Sequence, residues 1–109
     1  MSQKLLQVNF KLKGSPSEYR AHCQSIAQAF ADVPGLNWKI WILNEAEKEA
    51  GGIYLFEDER ALAQYLAGPL PAKAKDNPLF ADFTAKTFDV IEEATSITRG
   101  PIAATAITA

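Results

Sequence analysis

The stretch LNWKIWIL, Leu36–Leu43, holds both tryptophans of the chain, Trp38 and Trp41. Its β-branched and aromatic residues predict a strand, and the polar run NEAEKEA and the apolar run GGIYLF that follow predict a turn and the second strand of a hairpin. Successive side chains of a strand point to opposite faces of a sheet. Two tryptophans three positions apart are therefore predicted to lie on opposite faces.

The segments on both sides of this hairpin predict two helices and two more strands. The run KLLQVNFKL alternates apolar and polar residues, as a half-buried strand does. The sequence SPSE, Ser15–Glu18, is a capping box with proline at the first helical position, and it predicts a helix to about Ala31. A second helix is predicted over EDERALAQYLA with Asp58 as its N-cap, and a fourth strand over FTAKTFDVIEE.

The resulting order, β-α-β-β-α-β, is that of an α+β ferredoxin-like fold, a four-stranded antiparallel sheet with both helices on one face. Residues 1–99 are predicted to form this domain, and residues 100–109 a C-terminal tail that either packs on a partner or is disordered. The segment Gly68–Pro78 holds three prolines and is predicted to be an irregular loop.

Composition excludes several classes of function. The chain has 109 residues, a net charge of −2, one histidine and one cysteine. The mild acidity disfavours binding to nucleic acid or to an anionic membrane surface. No apolar run has the length of a membrane span and no secretory signal is recognisable, so the predicted location is cytoplasmic. A single histidine and a single cysteine cannot build a His/Cys metal site in one chain, and no metal or other cofactor is expected.

Two helices cover one face of the predicted sheet, and an apolar second face would need another cover. The helix-facing set is predicted to be Leu6, Val8, Phe10, Leu36, Trp38, Ile40, Ile53 and Leu55. The opposite set is predicted to be Gln7, Asn9, Lys39, Trp41, Leu43, Tyr54 and Phe56, with Lys86 and Phe88 or their alternates in the fourth strand. A slip of one residue exchanges the two sets, but either phase leaves aromatic side chains on the uncovered face. This predicts a homodimer in which two sheets face each other.

Three motifs also carry a resemblance to a known family. They are W-K-x-W at Trp38–Trp41, E-A-G-G-I-Y-L-F at Glu49–Phe56 and A-K-x-F-D-V at Ala85–Val90. Through them, the chain from Leu5 to about Glu93 resembles the YdhR-like monooxygenase family of the dimeric α+β barrel superfamily. The segment Gly68–Pro78 and the tail after Arg99 do not share this likeness.

The resemblance implies a homodimeric, cofactor-independent monooxygenase that oxidises a small aromatic or polycyclic substrate with O₂. In such enzymes the electron-rich substrate supplies the reducing power, and the protein supplies a pocket, desolvation and hydrogen bonds. Two alternatives stay open. One is a non-catalytic dimer that binds a small hydrophobic ligand in the same pocket, and the other is a purely structural dimer. Fold alone does not separate them.

Six side chains are candidates for a pocket between the sheet and the helices: Trp38, Trp41, Tyr54, Tyr65, His22 and Asn9. An indole could wall an aromatic ligand, and the hydroxyl, imidazole and amide groups could hydrogen-bond to a ligand oxygen. Each residue also has a structural interpretation, namely packing for the indoles, backbone partners for the hydroxyls, a helix flank for His22 and a dimer contact for Asn9. The Gly51–Gly52 pair predicts either a bulge or a space for a ring or a ligand.

Overall fold

The computed structural model describes residues 2–102 and contains a four-stranded antiparallel sheet with the strand order β2-β3-β1-β4. The elements are β1 (Lys4–Leu12), α1 (Pro16–Ala31), β2 (Leu36–Asn44), β3 (Glu49–Phe56), α2 (Glu59–Leu66), α3 (Pro69–Asp76), β4 (Phe80–Asp89) and α4 (Glu92–Ile97). This order confirms the predicted ferredoxin-like α+β fold, to which α3 and α4 are additions.

Both predicted helix starts are confirmed. The Ser15 hydroxyl accepts a hydrogen bond from the backbone N–H of Glu18 at 3.1 Å, and the Glu18 carboxylate accepts one from the backbone N–H of Ser15, also at 3.1 Å. The Asp58 carboxylate accepts a hydrogen bond from the backbone N–H of Ala61 at 2.8 Å. These bonds satisfy N–H groups that the start of a helix leaves without partners.

The inner face of the sheet is the side that α1 and α2 cover. In β1 it carries Leu6, Val8 and Phe10, as predicted. In β2 and β3 the predicted phase is wrong by one residue, because Tyr54 pairs across the sheet with both Leu6 and Lys39 and therefore shares their face. The inner face also carries Leu36, Lys39, Trp41, Leu43, Tyr54 and Phe56. By the same register, the outer face carries Leu5, Gln7, Asn9, Trp38, Ile40, Ile42, Ile53, Leu55, Thr84, Lys86 and Phe88.

A register irregularity at the start of β2 explains part of this correction. The pairing of β2 with β3 shifts between Leu36 and Trp38, so these two residues lie on different faces although they are two positions apart. The other cause is composition. Both faces of β2 are apolar, and a strand without hydrophobic contrast does not reveal its phase.

Two clusters of buried side chains fill the space between the inner face and the helices. The first contains Leu6, Phe30, Tyr54, Phe56, Ala61, Leu62 and Tyr65. The second contains Phe10, Leu12, Tyr19 and Ala50. Burying one large apolar side chain contributes roughly 1.5–3 kcal/mol to folding, so these clusters hold α1 and α2 against the sheet.

Two segment boundaries also differ from the prediction. The segment Gly68–Pro78 contains the helix α3 instead of an irregular loop, because Pro69 occupies the start of the helix, where no N–H is needed. Strand β4 begins at Phe80, three residues before the predicted start. Within it Asp82 has a φ of 56°, and the register with β1 shifts nearby. This β-bulge interrupts the alternation of side chains between the two faces of the strand. The sequence pattern therefore does not reveal that β4 begins at Phe80.

After β4 the chain forms α4 and returns to the other edge of the sheet. The backbone carbonyl oxygen of Pro101 accepts a hydrogen bond from the Trp38 indole N–H at 2.6 Å. Residues 103–109, most of the predicted tail, lie outside the described residues, so the proposed boundary after residue 99 and the fate of the tail stay predictions. Within residues 2–102, no helix is long and apolar enough to cross a membrane.

Candidate functional site

A cavity of about 500 Å³ lies between the inner face of the sheet and the helices α1, α2 and α3. Small-molecule sites in proteins typically measure about 300–1,000 Å³, so the volume suits a compact ligand. Its aromatic lining consists of Phe10, Tyr19, Phe30, Trp41, Tyr54, Tyr65, Phe80 and Phe83. Its polar lining consists of His22, Lys39, Lys73, Lys75 and Asn77 together with the tyrosine hydroxyls.

Gly52 in β3 leaves space for neighbouring side chains in the wall of the cavity that β2 and β3 form. Trp41 lies directly opposite Gly52 in the strand pair, and the β1–β3 register runs through this position without a shift. A Cβ atom at Gly52 would lie 2.7 Å from Cε of Lys39 and 3.0 Å from the Tyr54 ring. The glycine therefore provides the space over which Lys39 extends, and of the two predicted roles for the glycine pair the structure favours space over a bulge.

The Lys39 ammonium group lies in a cage of aromatic rings. Its Nζ atom is 3.4 Å from the ring centroids of both Phe30 and Trp41, and 4.7 Å from that of Tyr54. Aromatic faces attract a cation. Within residues 2–102, no carboxylate forms an ion pair with Lys39. Burial disfavours the charged form and lowers the pKa of Lys39 to about 7, an effect that the neighbouring Cys23 thiolate would oppose.

Two tyrosine hydroxyls meet in the same wall. The hydroxyl of Tyr65 donates a hydrogen bond to the hydroxyl of Tyr54 at 3.4 Å, which is long for this type of bond. Burial raises the pKa of both groups, and it does so most strongly for Tyr54. Both phenols therefore stay protonated at neutral pH and can act as hydrogen-bond donors.

Helix α1 forms the opposite wall of the cavity. The half-buried His22 ring lies edge-on to Phe80, with 5.6 Å between the ring centroids. One turn before it, the buried Tyr19 packs edge-on to Phe10 at 5.8 Å. Burial raises the pKa of the Tyr19 hydroxyl, and the neighbouring Cys23 thiol adds to this increase. This wall presents one imidazole and one protonated phenol to the cavity.

The rim of the cavity is basic. Helix α3 contributes Lys73 and Lys75, which are exposed, and α2 contributes Leu66, which is 46% exposed. Among the described residues that line the cavity there are three lysines and one histidine, but neither aspartate nor glutamate. The cavity is thus positively charged within a chain whose net charge is −2.

The structure brings four of the six candidate residues together: His22, Trp41, Tyr54 and Tyr65 all line the cavity. The other two, Trp38 and Asn9, lie on the outer face. There the Asn9 side-chain oxygen accepts a hydrogen bond from the Gln7 side-chain amide at 3.2 Å, and Trp38 hydrogen-bonds to Pro101.

The candidate set lacks Lys39, Tyr19 and Phe30, which the structure adds to the cavity. A signal for Lys39 is present in W-K-x-W, because Lys39 and Trp41 are two positions apart and share a face of the strand. In the part of the chain that the structure describes, no group of three or more His, Cys, Asp or Glu side chains is placed to hold a metal ion.

The fold and the cavity define a ferredoxin-like α+β protein with an aromatic, small-molecule-sized site. The chain belongs to the family described as "Putative mono-oxygenase ydhR", whose model matches residues 5–101. This match confirms the resemblance that the sequence motifs carry. Among curated proteins, none gives a significant match.

Several solved structures share the fold. SnoaB from Streptomyces nogalater, a cofactor-independent oxygenase, has a TM-score of 0.68 and 18% identity, over 83% of this chain and 94% of SnoaB. NE2512 from Nitrosomonas europaea, a protein of unknown function, has a TM-score of 0.70 and 18% identity, and the match covers 84% of this chain and 91% of NE2512. The ActVA-Orf6 monooxygenase of Streptomyces coelicolor, in complex with nanaomycin D, has a TM-score of 0.62 and 14% identity. That match covers 82% of this chain and 88% of ActVA-Orf6. At these identities the likeness establishes the fold.

Proposed function

We propose that the protein is a cofactor-independent monooxygenase that oxidises a small aromatic substrate in the cavity of a homodimer. Membership of the family supports a monooxygenase-like function at a general level. The observation that carries the finer proposal is the cavity of about 500 Å³ walled by Trp41, Tyr54 and Tyr65. A flat aromatic molecule can pack offset or edge-on against such rings. SnoaB and ActVA-Orf6, described as an oxygenase and a monooxygenase, give supporting analogies on the same fold.

The proposed reaction, written for a phenol, needs no reductant other than the substrate. A ring carbon para to the hydroxyl loses its hydrogen and forms a C=O bond with one atom of O₂, while the phenol loses its O–H hydrogen and becomes the second carbonyl of a para-quinone. The other oxygen atom leaves as water with those two hydrogens. The four electrons that O₂ accepts all come from the ring, so naphthol and O₂ give naphthoquinone and water.

The residues of the cavity are proposed to bind the substrate and to stabilise its charge. The rings of Trp41 and Phe30 exclude water, and exclusion of water strengthens every electrostatic contact inside the cavity. Because Tyr54 and Tyr65 stay protonated, their hydroxyls can donate to an oxygen that becomes negative when the phenol ionises. His22 lies on the opposite wall, within the same cavity, and is a second candidate donor or base.

The proposed active form is a homodimer joined through the outer faces of two sheets. Ile40 and Phe88 are 49% and 45% exposed on this face, and Ile42 and Ile53 lie beside Ile40 in β2 and β3. An apolar patch that spans several strands is typical of an interaction surface. A second copy of the same face is self-complementary and would bury it. The predicted cytoplasmic location stays a prediction.

A non-catalytic ligand-binding protein is the second candidate. The observation that favours it is the contact between the Tyr54 and Tyr65 hydroxyls, which engages one potential donor with the other instead of with a base. An aromatic cavity of this kind can hold a ligand without any reaction.

Oxygen uptake with a panel of naphthols that carry hydrogen at the carbon para to the hydroxyl separates the two candidates. An enzyme should consume one O₂ for each quinone formed, and Trp41→Ala should slow this turnover. Ligand binding by calorimetry on the same panel is the companion measurement. Tight binding without turnover of any member would contradict the monooxygenase and favour the binding protein.

A further inference from the structure

The charges around the cavity all have one sign. Lys39 lies in the wall, Lys73 and Lys75 lie at the rim, and no acidic residue within the described range 2–102 lines the cavity. The protein as a whole is acidic, so this distribution is local and does not follow from composition. A concave site with walls of low polarity and charges of one sign concentrates ligands of the opposite sign.

Lys39 differs from the two exposed rim lysines because its side chain is half-buried and because, within residues 2–102, it forms no ion pair. Its Nζ contacts the faces of Phe30 and Trp41 at 3.4 Å, and the glycine at position 52 leaves the space for its stem. A buried ammonium group without a carboxylate partner is unfavourable, and a ligand anion would relieve this. The lowered pKa of Lys39, about 7, agrees with that desolvated position.

We infer that the cavity selects an aromatic ligand that carries an anionic oxygen group, a carboxylate or an ionised phenol or enol, and that Lys39 Nζ pairs with this group. The aromatic nature of the ligand rests on the proposed function; its charge rests on the lysines. In this arrangement the rings hold the flat part of the ligand, and Lys39 fixes the position of the anionic oxygen. Lys39 is therefore a residue that determines specificity.

The inference is tested at pH 6, where Lys39 is charged, with four probes of similar shape: naphthoate and hydroxynaphthoquinone, which are anionic at that pH, and naphthamide and methoxynaphthoquinone, which are neutral. Calorimetry should show that each anion binds the wild-type protein at least about tenfold more tightly than its neutral counterpart, the gain expected of one charge-assisted contact in a desolvated site. The two pairs distinguish a carboxylate ligand from an enolate ligand, and a preference in either pair supports the inference.

Two substitutions show whether Lys39 is responsible. Lys39→Met keeps an unbranched chain of similar length among the rings, and it should abolish the preference for anions while the neutral probes still bind. Lys13→Met makes the same chemical change at an exposed position that does not line the cavity, and it should leave all four affinities unchanged.

Equal affinity for anionic and neutral probes in the wild-type protein would overturn the inference and leave the proposed aromatic site standing. Retention of the preference in Lys39→Met would overturn the role of Lys39. Binding of none of the four probes would count against the proposed function and the inference together. Retained binding of the neutral probes also shows that the Lys39→Met variant is folded.

Discussion

The Nζ atom of Lys39 lies 3.4 Å from the centre of the Trp41 ring, and the two residues are neighbours on one face of β2. A strand places residues i and i+2 on the same side, so the W-K-x-W motif itself brings the cation and the second indole together. The first indole, Trp38, is then on the outer face. One strand thus supplies both a wall of the cavity and part of the surface proposed for dimerisation.

The pH dependence of stability should reveal the buried ammonium group. In the folded protein the pKa of Lys39 is about 7, below the ordinary value of 10.5, so the unfolded chain binds more protons between these two pH values. The free energy of unfolding should therefore rise with pH from about 7 to about 10. One pKa unit corresponds to about 1.4 kcal/mol of stability. Attraction between the ammonium group and the aromatic faces offsets part of the cost of burying the charge, so the free energy of unfolding should rise by roughly 2–4 kcal/mol.

Chemical denaturation of wild type and of Lys39→Met at several pH values measures this effect. The difference between the two proteins isolates Lys39 from Cys23 on α1, which faces the same ammonium group. It also isolates Lys39 from Tyr19, Tyr54 and Tyr65, which ionise near pH 10 only in the unfolded chain because burial raises their pKa in the folded protein. The variant should be the more stable protein at pH 6 to 7, and the gap should narrow toward pH 10. A gap that does not change with pH would contradict the lowered pKa.

Substitution of Gly52 by alanine should disturb the wall of the cavity. The added Cβ would lie 2.7 Å from Cε of Lys39 and 3.0 Å from the Tyr54 ring. Lys39 contacts the rings of Phe30 and Trp41, and Tyr54 contacts other aromatic rings, so neither neighbour moves freely. Overpacking of this kind costs about 1–3 kcal/mol of stability. Thermal or denaturant unfolding measures the loss, and weaker binding of aromatic ligands should accompany it.

Gly14→Ala is the matched control for this substitution. There the nearest atom to an added Cβ is a carboxylate oxygen of Glu18 at 3.3 Å, so a shift of a few tenths of an ångström is enough and the capping hydrogen bond from Ser15 can be kept. We expect a change within about 0.5 kcal/mol for this variant. Equal effects at positions 14 and 52 would show that the loss of glycine as such, and not the crowding around Lys39, determines stability.

The sequence predicts the fold because its signals are local. The Ser15–Glu18 capping box, the Asp58 cap and the hairpin each depend on a few adjacent residues, and each is confirmed in the structure. The sequence does not predict the start of α3, because Pro69 and Pro71 suggest irregular structure, although proline is well suited to the first turn of a helix.

The composition of the site could be predicted only in part. Trp41, Tyr54, Tyr65 and His22 are predicted cavity residues because they are aromatic or polar residues of the central elements, and all four line the cavity. The sequence predicts Lys39 on the opposite face, because the phase of β2 does not follow from the sequence when both of its faces are apolar. The physical information that fixes this phase is the cross-strand partner of each residue, which a single sequence does not contain.

The hydrogen bond between Tyr54 and Tyr65 should contribute little to stability. The two hydroxyl oxygens are 3.4 Å apart, near the limit of a hydrogen bond, and each ring is held by neighbouring aromatic groups. A double-mutant cycle of Tyr54→Phe and Tyr65→Phe, followed by denaturant unfolding, should give a coupling energy below about 1 kcal/mol.

If the hydroxyls of Tyr54 and Tyr65 bind a ligand, both single variants should lower the affinity for an oxygen-bearing aromatic more than they lower the free energy of unfolding. A coupling energy well above this limit would instead identify the pair as a structural element of the core.

The outer face should control the oligomeric state. Ile40 is 49% exposed in the middle of β2, and its neighbours across the sheet on the same face are Ile53 and Gln7. In a dimer through this face, the substitution Ile40→Lys places two charges in the apolar contact, and the complex should dissociate. Sedimentation velocity at micromolar concentration should show a dimer for wild type and a monomer for the variant, with an unchanged circular dichroism spectrum.

Leu79→Lys is the control for this substitution. Leu79 is 41% exposed in the turn between α3 and β4, away from the outer face, so its replacement by lysine should leave the dimer intact. A monomeric wild-type protein, or an Ile40→Lys variant that remains dimeric, would exclude this face as the dimer interface.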